Sequence, residues 1–348
     1  MTFAQIGLHP SLLKALSEAG YNEPTAVQRE AIPAALAGRD LIVSSQTGSG
    51  KTAAFLLPAL HLFAAQERPL VVPRGSAPQR RPGARGHDRF RFQPAAPKML
   101  VLAPTRELAL QVTAASEKYG RQLHQLRAVA ILGGMPYARQ MELLGRNPEI
   151  LVATPGRLID HMNAGKIDFS QLQILVLDEA DRMLDMGFID DIETIVAATP
   201  ASRQTLLFSA TLDGVVGDLA QRMTRAALRI QVDAVSARHD HIEQRMHFVD
   251  DLAHKNRLLD HLLRDASIDQ ALVFTATKRD ADTLSDRLNL AGLNAAALHG
   301  DMHQGARNRT LTALRRGQLR ILVATDVAAR GIDVPTITHV FNYDLPKA

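Results

Sequence analysis

The sequence predicts an α/β protein made of two parallel-sheet domains in tandem. Three observations carry that prediction. Short apolar runs, each followed by a helical pattern, recur along the chain as βαβ units do. They fall into two series separated by a polar stretch at residues 233–240. The length of 348 residues suits two domains at roughly 100–200 residues each.

In the first series, residues 41–43, 99–102, 150–152, 174–177 and 206–208 read as strands buried on both faces, because no polar residue interrupts them. Between them lie helices such as 107–119, where Leu108, Val112, Ala115 and Tyr119 share one side. The second series places strands at 272–274, 295–298, 321–323 and 339–341. The expected domains are therefore residues 1–232 and 241–348, joined by a linker at 233–240. Residues 66–97 interrupt the first domain with six Pro, three Gly and seven Arg, too little apolar surface to offset ordering entropy. A flexible insertion is expected there. Because it leaves the helix after one strand and re-enters the next, it should emerge at the amino ends of the strands, opposite the edge where open α/β sheets bind ligands.

Composition narrows the function classes. The chain has no Cys, which excludes disulfide scaffolds, thiolate zinc sites and cysteine nucleophiles. The start lacks the basic and apolar regions of a signal peptide, and no window holds 18 apolar residues, so the cytoplasm is the expected compartment and no membrane partner is expected. Net charge is +4, but residues 66–97 alone carry +5 and the remainder −1. Any nucleic acid bound by the folded body must meet local patches rather than a general positive field.

Gly48-Ser49-Gly50-Lys51-Thr52 follows an apolar strand and precedes the helical run 53–62, the setting of a phosphate-binding loop that opens at Thr47. Glycines let backbone N–H groups wrap phosphates; Lys51 would neutralise them, and the Thr52 hydroxyl would complete a Mg²⁺ shell. Asp178-Glu179-Ala180-Asp181 follows the strand at 174–177, so Asp178 should emerge at a carboxyl strand end, suited to the same metal ion. Glu179 is then placed to deprotonate a water attacking the γ-phosphate.

Together these segments resemble the DEAD-box ATP-dependent RNA helicases, and bacterial RhlE-type members in particular. The resemblance covers nearly the whole chain outside 66–97. It extends through Gly20-Tyr21 to Gln28, Pro104 to Ala109, Gly133-Gly134, Thr154-Pro155-Gly156-Arg157, Ser209-Ala210-Thr211, Phe274 to Lys278, Gln304 to Arg307 and Ala324 to Asp333. It implies two RecA-like domains, with ATP and Mg²⁺ as cofactors. Gln28 would read adenine, Phe3 would stack on its ring, and Asp333 would contact the ribose. Arg106, Gly134, Thr154, Gly156 and Arg157, with Thr277, Arg307 and Thr325, would bind an RNA backbone largely without regard to sequence. Asp181, Ser209 and Thr211 would couple nucleotide state to the domains. RNA is the implied partner, with ribosome-assembly or RNA-decay machinery beyond it, and the implied activity is local unwinding of short duplexes driven by ATP hydrolysis.

Small departures occur at Ala26, Val27 and Ser45, where the family usually has Pro, Ile and Ala. The chain stops at Ala348 before the family's H-R-x-G-R-x-G-R segment, which supplies arginine fingers. The expectation is thus a truncated, incomplete second domain, and a chain that binds ATP but hydrolyses it poorly. An ATP-gated RNA clamp or chaperone is the alternative, and Glu179 argues against it. A DNA-directed relative is disfavoured by the Gln28 segment together with Asp178 to Asp181.

Overall fold

The computed structural model describes residues 2–46, 48–66, 93–123, 126–212, 214–232, 242–329, 332, 334 and 336–345. The chain divides into two units, Met1–Ala237 and Arg238–Ala348. The expected linker at 233–240 lies outside the described residues.

The first unit is organised by strands β1 (Leu41–Ser44), β2 (Met99–Leu102), β3 (Ala128–Ile131), β4 (Ile150–Ala153), β5 (Ile174–Asp178), β6 (Gln204–Ser209) and β7 (Leu228–Gln231). They form one parallel sheet in the order β3-β4-β2-β5-β6-β1-β7. Side chains alternate across it with the strand period of two. Leu41, Val43, Val101, Val176 and Phe208 pack into one core, while Ile42, Leu100, Leu102, Leu175 and Leu207 pack into the other. Residues of helices Pro10–Glu18, Ala26–Leu36, Lys51–Ala65 and Arg106–Gly120 cover the first face. Those of Pro155–Asn163, Ala180–Asp185, Ile189–Ala197 and Val215–Met223 cover the second. The apolar runs are continuous because both faces are covered.

The second unit holds β8 (Gln270–Thr275), β9 (Ala295–Leu298), β10 (Ile321–Thr325) and β11 (Ile337–Asn342), all parallel, in the order β11-β8-β10-β9. Ala271, Val273, Ile321 and Val323 face Leu259, Ala281, Leu284 and Leu288; Leu272, Leu298 and Leu322 face Leu311 and Leu314.

Three features differ from the sequence reading. Strands β3 and β7 were not expected: β3 is half alanine, a residue that favours helix over strand, and β7 is an edge strand whose only buried residue is Ile230. The insertion is also shorter than 66–97. Ala95 is buried and pairs with Ile167, and Asn147 Oδ1 accepts from Ala96 N at 2.8 Å, so backbone groups at 95–96 are satisfied by the folded body. Residues 67–92 lie outside the described residues. At the other boundary, Gln66 bonds to Lys98 at 2.6 Å and Gln173 at 2.8 Å, the residues just before β2 and β5. Both ends of the insertion therefore lie at the amino edge of the sheet.

Candidate functional site

The carboxyl ends of β1, β5 and β6 adjoin one another in the sheet order, and they carry the first cluster. β1 runs into a loop in which Gly48 and Gly50 take φ of +79° and +91°, the left-handed region that glycine enters without a Cβ penalty. The helix Lys51–Ala65 follows at once, so its unbonded N–H groups face the loop. A capping box braces this loop from outside. The helix Ala26–Leu36 opens with Thr25, whose hydroxyl donates to Ser49 O at 2.7 Å, and Gln28 Nε2 donates to Gly50 O at 3.1 Å. Gln28 Oε1 meanwhile accepts from Thr25 N at 3.0 Å. Each end of the Gln28 amide thus has one internal partner and keeps one further hydrogen-bonding position.

Lys51 is buried, and its Nζ donates to Ser45 O at 3.0 Å. Asp178, at the end of β5, is 2% exposed, and its Oδ1 has no hydrogen-bond partner among the described residues. Burial, reinforced by the neighbouring Glu179, pushes its carboxyl up to about 7, against the pull of Lys51 and the Glu179 backbone N–H. A buried carboxylate oxygen without a partner is costly, and a divalent cation would relieve that cost, so the donor set of Asp178 with the Thr52 hydroxyl fits magnesium. Glu179 takes φ 55°, ψ 53°, a left-handed conformation that costs a non-glycine residue about 1–3 kcal/mol. Its carboxylate is anchored by Arg182 Nη1 at 2.8 Å.

From the same strand end, Asp181 Oδ2 accepts from Ala210 N at 3.1 Å and Asp181 N donates to Ser209 Oγ at 3.3 Å. Ser45 N donates to Ser209 O at 3.1 Å, so the phosphate loop, the acidic turn and the end of β6 are hydrogen-bonded together. Thr211 is exposed beyond this contact.

The ends of β2, β4 and β3 carry the second cluster. The Arg106 guanidinium lies against the α-carbon of Gly134 (φ +70°) in the space a Cβ would take. Arg157 Nη1 donates to Met135 O at 3.3 Å, and Arg157 pairs with Asp160 at 3.1 Å. Thr154 is the N-cap of its helix, yet its hydroxyl makes no cap bond, and Gly156 is exposed beside it. In the second unit Thr277 caps the helix Lys278–Leu290 after β8, Thr325 ends the adjacent β10, and Arg307 Nη2 donates to Ala328 O at 2.6 Å. All three gather at one sheet edge.

The DEAD/DEAH box helicase profile matches residues 25–219, and the helicase conserved C-terminal domain matches residues 254–348. The chain belongs to the DEAD/DEAH box helicase family. It is 41% identical over 349 residues to the Escherichia coli ATP-dependent RNA helicase SrmB, covering 100% of this chain and 73% of that protein. It is also 41% identical to the Mycobacterium tuberculosis ATP-dependent RNA helicase DeaD, covering 99% of this chain and 56% of that one. Among solved structures, Saccharomyces cerevisiae Dbp5 bound to RNA and ADP BeF3 superposes with a TM-score of 0.82 at 30% identity, over 100% of this chain and 81% of that one. A DEAD box protein from Methanococcus jannaschii gives 0.55 at 32% identity, over 99% and 86% of the two chains. The two parallel sheets are thus those of DEAD-box helicase RecA-like domains.

Phe3, expected to stack on the adenine ring, is 4% exposed and belongs to the core that also holds Leu8, Leu12 and Leu16. Thr47 and Asp333 lie outside the described residues. Two residues were missed. Arg182 could have been found from its i, i+3 spacing to Glu179. Gln140 is fully buried, and standing between Arg139 and Met141 it left no signal in the sequence.

Proposed function

We propose that the chain is an ATP-dependent RNA helicase that binds ATP at the phosphate loop, binds RNA along its backbone, and couples hydrolysis to local unpairing of short duplexes. The observation that carries this reading is the Oδ1 of the buried Asp178, which has no hydrogen-bond partner among the described residues, with the charge of the buried Lys51 acting on the same carboxyl. That pairing suits a cation-bound triphosphate. Lys51 would exchange its bond to Ser45 O for the β and γ phosphates. Held by Thr52 and Asp178, Mg²⁺ would neutralise phosphate charge when bound. Glu179, oriented by Arg182, would accept the proton of the attacking water. Gln28 would use the free position at each end of its amide for adenine, favouring ATP over GTP.

Arg106, Gly134, Thr154, Gly156 and Arg157 would hold one RNA strand by phosphate and sugar contacts, with Thr277, Arg307 and Thr325 doing the same in the second unit. The RNA carried by Dbp5 supports this reading. The test is Glu179→Gln, which keeps shape and removes the proton acceptor. ATP binding should persist while RNA-stimulated phosphate release, followed in single turnover so that a slow wild-type rate is still measurable, falls about 10²- to 10⁴-fold. Unchanged release would refute the assignment, as would equal stimulation of the wild-type chain by single-stranded DNA and RNA.

A further inference from the structure

The loop from Leu132 to Pro136 contributes Gly134 to the second cluster, yet it has no regular secondary structure of its own. Its backbone is tied down by one buried side chain. Gln140, in the helix Tyr137–Leu144, accepts from Leu132 N at 3.2 Å through Oε1. Its Nε2 donates to Leu132 O at 3.3 Å and to Met135 O at 2.8 Å. These three backbone groups fix which way the amide points, because an N–H must meet an oxygen and a C=O must meet a donor. Oε1 then has one acceptor position left, filled by His161 Nε2 at 3.3 Å. His161 is fully buried and its ring stacks on Tyr137 at 4.6 Å.

His161 belongs to the helix Pro155–Asn163, the helix that begins at Thr154 and carries Arg157. Arg157 Nη1 in turn reaches Met135 O, one of the carbonyls that Gln140 holds. Two segments from the ends of different strands are thus joined twice, by Gln140–His161 underneath and by Arg157–Met135 above. Burial of the Gln140 amide with all its partners supplied stiffens the loop, whereas His161 Nδ1 is buried without a partner among the described residues, so the two halves of the joint depend on the Gln140–His161 bond; an unpartnered amide at that depth would be costly.

We infer that Gln140 is a positioning residue for RNA binding, setting the spacing between the Gly133-Gly134 loop and the Thr154–Arg157 turn so that both meet consecutive backbone groups of one strand. This rests on the RNA-binding reading above. It predicts a selective effect, because Gln140 makes no hydrogen bond to the phosphate loop or to Asp178.

Gln140→Met keeps length and volume and removes all four hydrogen bonds. Binding of a single-stranded oligoribonucleotide should weaken about tenfold or more, and binding of a non-hydrolysable ATP analogue should stay within about twofold. The salt dependence should also change. Each phosphate contact to a single strand contributes about 0.7 to the slope of log affinity against log salt, so the slope should become shallower by about 0.7–1.4 as one or two contacts are lost. A second pair of variants bears on the same joint. His161→Leu should give a smaller loss with the same shallower slope, and His161→Gln, whose amide N–H can replace imidazole Nε2, should restore it. Unaltered RNA affinity in both Gln140→Met and His161→Leu would overturn the inference. So would a parallel loss of RNA and nucleotide binding at unchanged salt slope, which would mark Gln140 as serving stability alone. A wild-type chain that binds the nucleotide analogue but no RNA would bring down the functional reading, and this inference with it.

Discussion

Replacing Asp178 by Asn should make the metal-free protein more stable at pH 8 and less stable near pH 4. In the folded chain the carboxyl is raised from 3.8 to about 7 by burial and by Glu179. Between those two values the folded state binds more protons than the unfolded state, so stability falls as pH rises through the window and levels off above about 7. The displacement corresponds to about 4 kcal/mol of lost stability at about 1.4 kcal/mol per tenfold change in proton affinity. The amide escapes this cost but brings a buried N–H₂ group, and an unsatisfied donor costs about 1–3 kcal/mol. The charge effect wins at pH 8, leaving the Asp178→Asn variant ahead by about 1–3 kcal/mol. Near pH 4 only the amide cost remains, and the order reverses. In a unit of this size about 1 kcal/mol moves the midpoint by roughly 2–4 °C. The assay is scanning calorimetry in chelator from pH 4 to pH 8, following the transition that ATP with magnesium shifts in the wild type. A difference between the two proteins that stays constant with pH would refute the reasoning, because it would mean Asp178 is not ionised against its surroundings.

Lys51→Ala should abolish ATP binding by calorimetry while the fold survives, since Lys51 is held by a single bond to Ser45 O; unchanged affinity would remove the phosphate-loop assignment. Gly50→Ala and Gly48→Ala form a matched pair. Both positions have positive φ, but a Cβ at Gly50 would meet Gln28 and Thr25, whereas one at Gly48 meets nothing. Gly48→Ala should lose about 1–2 kcal/mol from backbone strain alone, and Gly50→Ala should lose more and weaken ATP binding as well; equal losses by thermal unfolding would show that the brace is unimportant. Replacing residues 67–92 by a short Gly-Ser linker should leave ATP affinity intact, because Gln66 contacts the residues preceding β2 and β5. Any deficit in RNA affinity of that variant should shrink as salt rises, with a shallower salt slope than the wild type, and a large loss of ATP binding would contradict the placement.

Nine of the eleven strands among the described residues were legible, most of them because a strand buried on both faces must be apolar throughout, and such runs stand out. Residues 321–323 and 174–177 are examples; β11 is an exception, with no fully buried residue. β7 escaped because an edge strand with one buried residue has no such pattern. The glycine-rich loop and the acidic turn were legible as local features: a glycine-rich turn between strand and helix, and carboxylates immediately after a strand. The surroundings of Phe3 were not legible for the opposite reason, since whether an aromatic ring is offered to a ligand or packed in a core depends on what covers it.

The sequence by itself determined the α/β class, the two series of strands and the positions of the glycine-rich loop and the acidic turn, because these follow from backbone period and from side-chain types a few residues apart. The tertiary structure alone decided which strand ends are neighbours. The order β3-β4-β2-β5-β6-β1-β7 sets β1, β5 and β6 together for one cluster and β2, β3 and β4 for the other, although β2, β3 and β4 separate β1 from β5 and β6 along the chain. It also decided the bonds that span long stretches of sequence, such as Gln28 to Gly50 and Asp181 to Ser209 and Ala210. Such contacts depend on how crossover helices pack each strand against its partner, and no pattern along the chain encodes which partner that is.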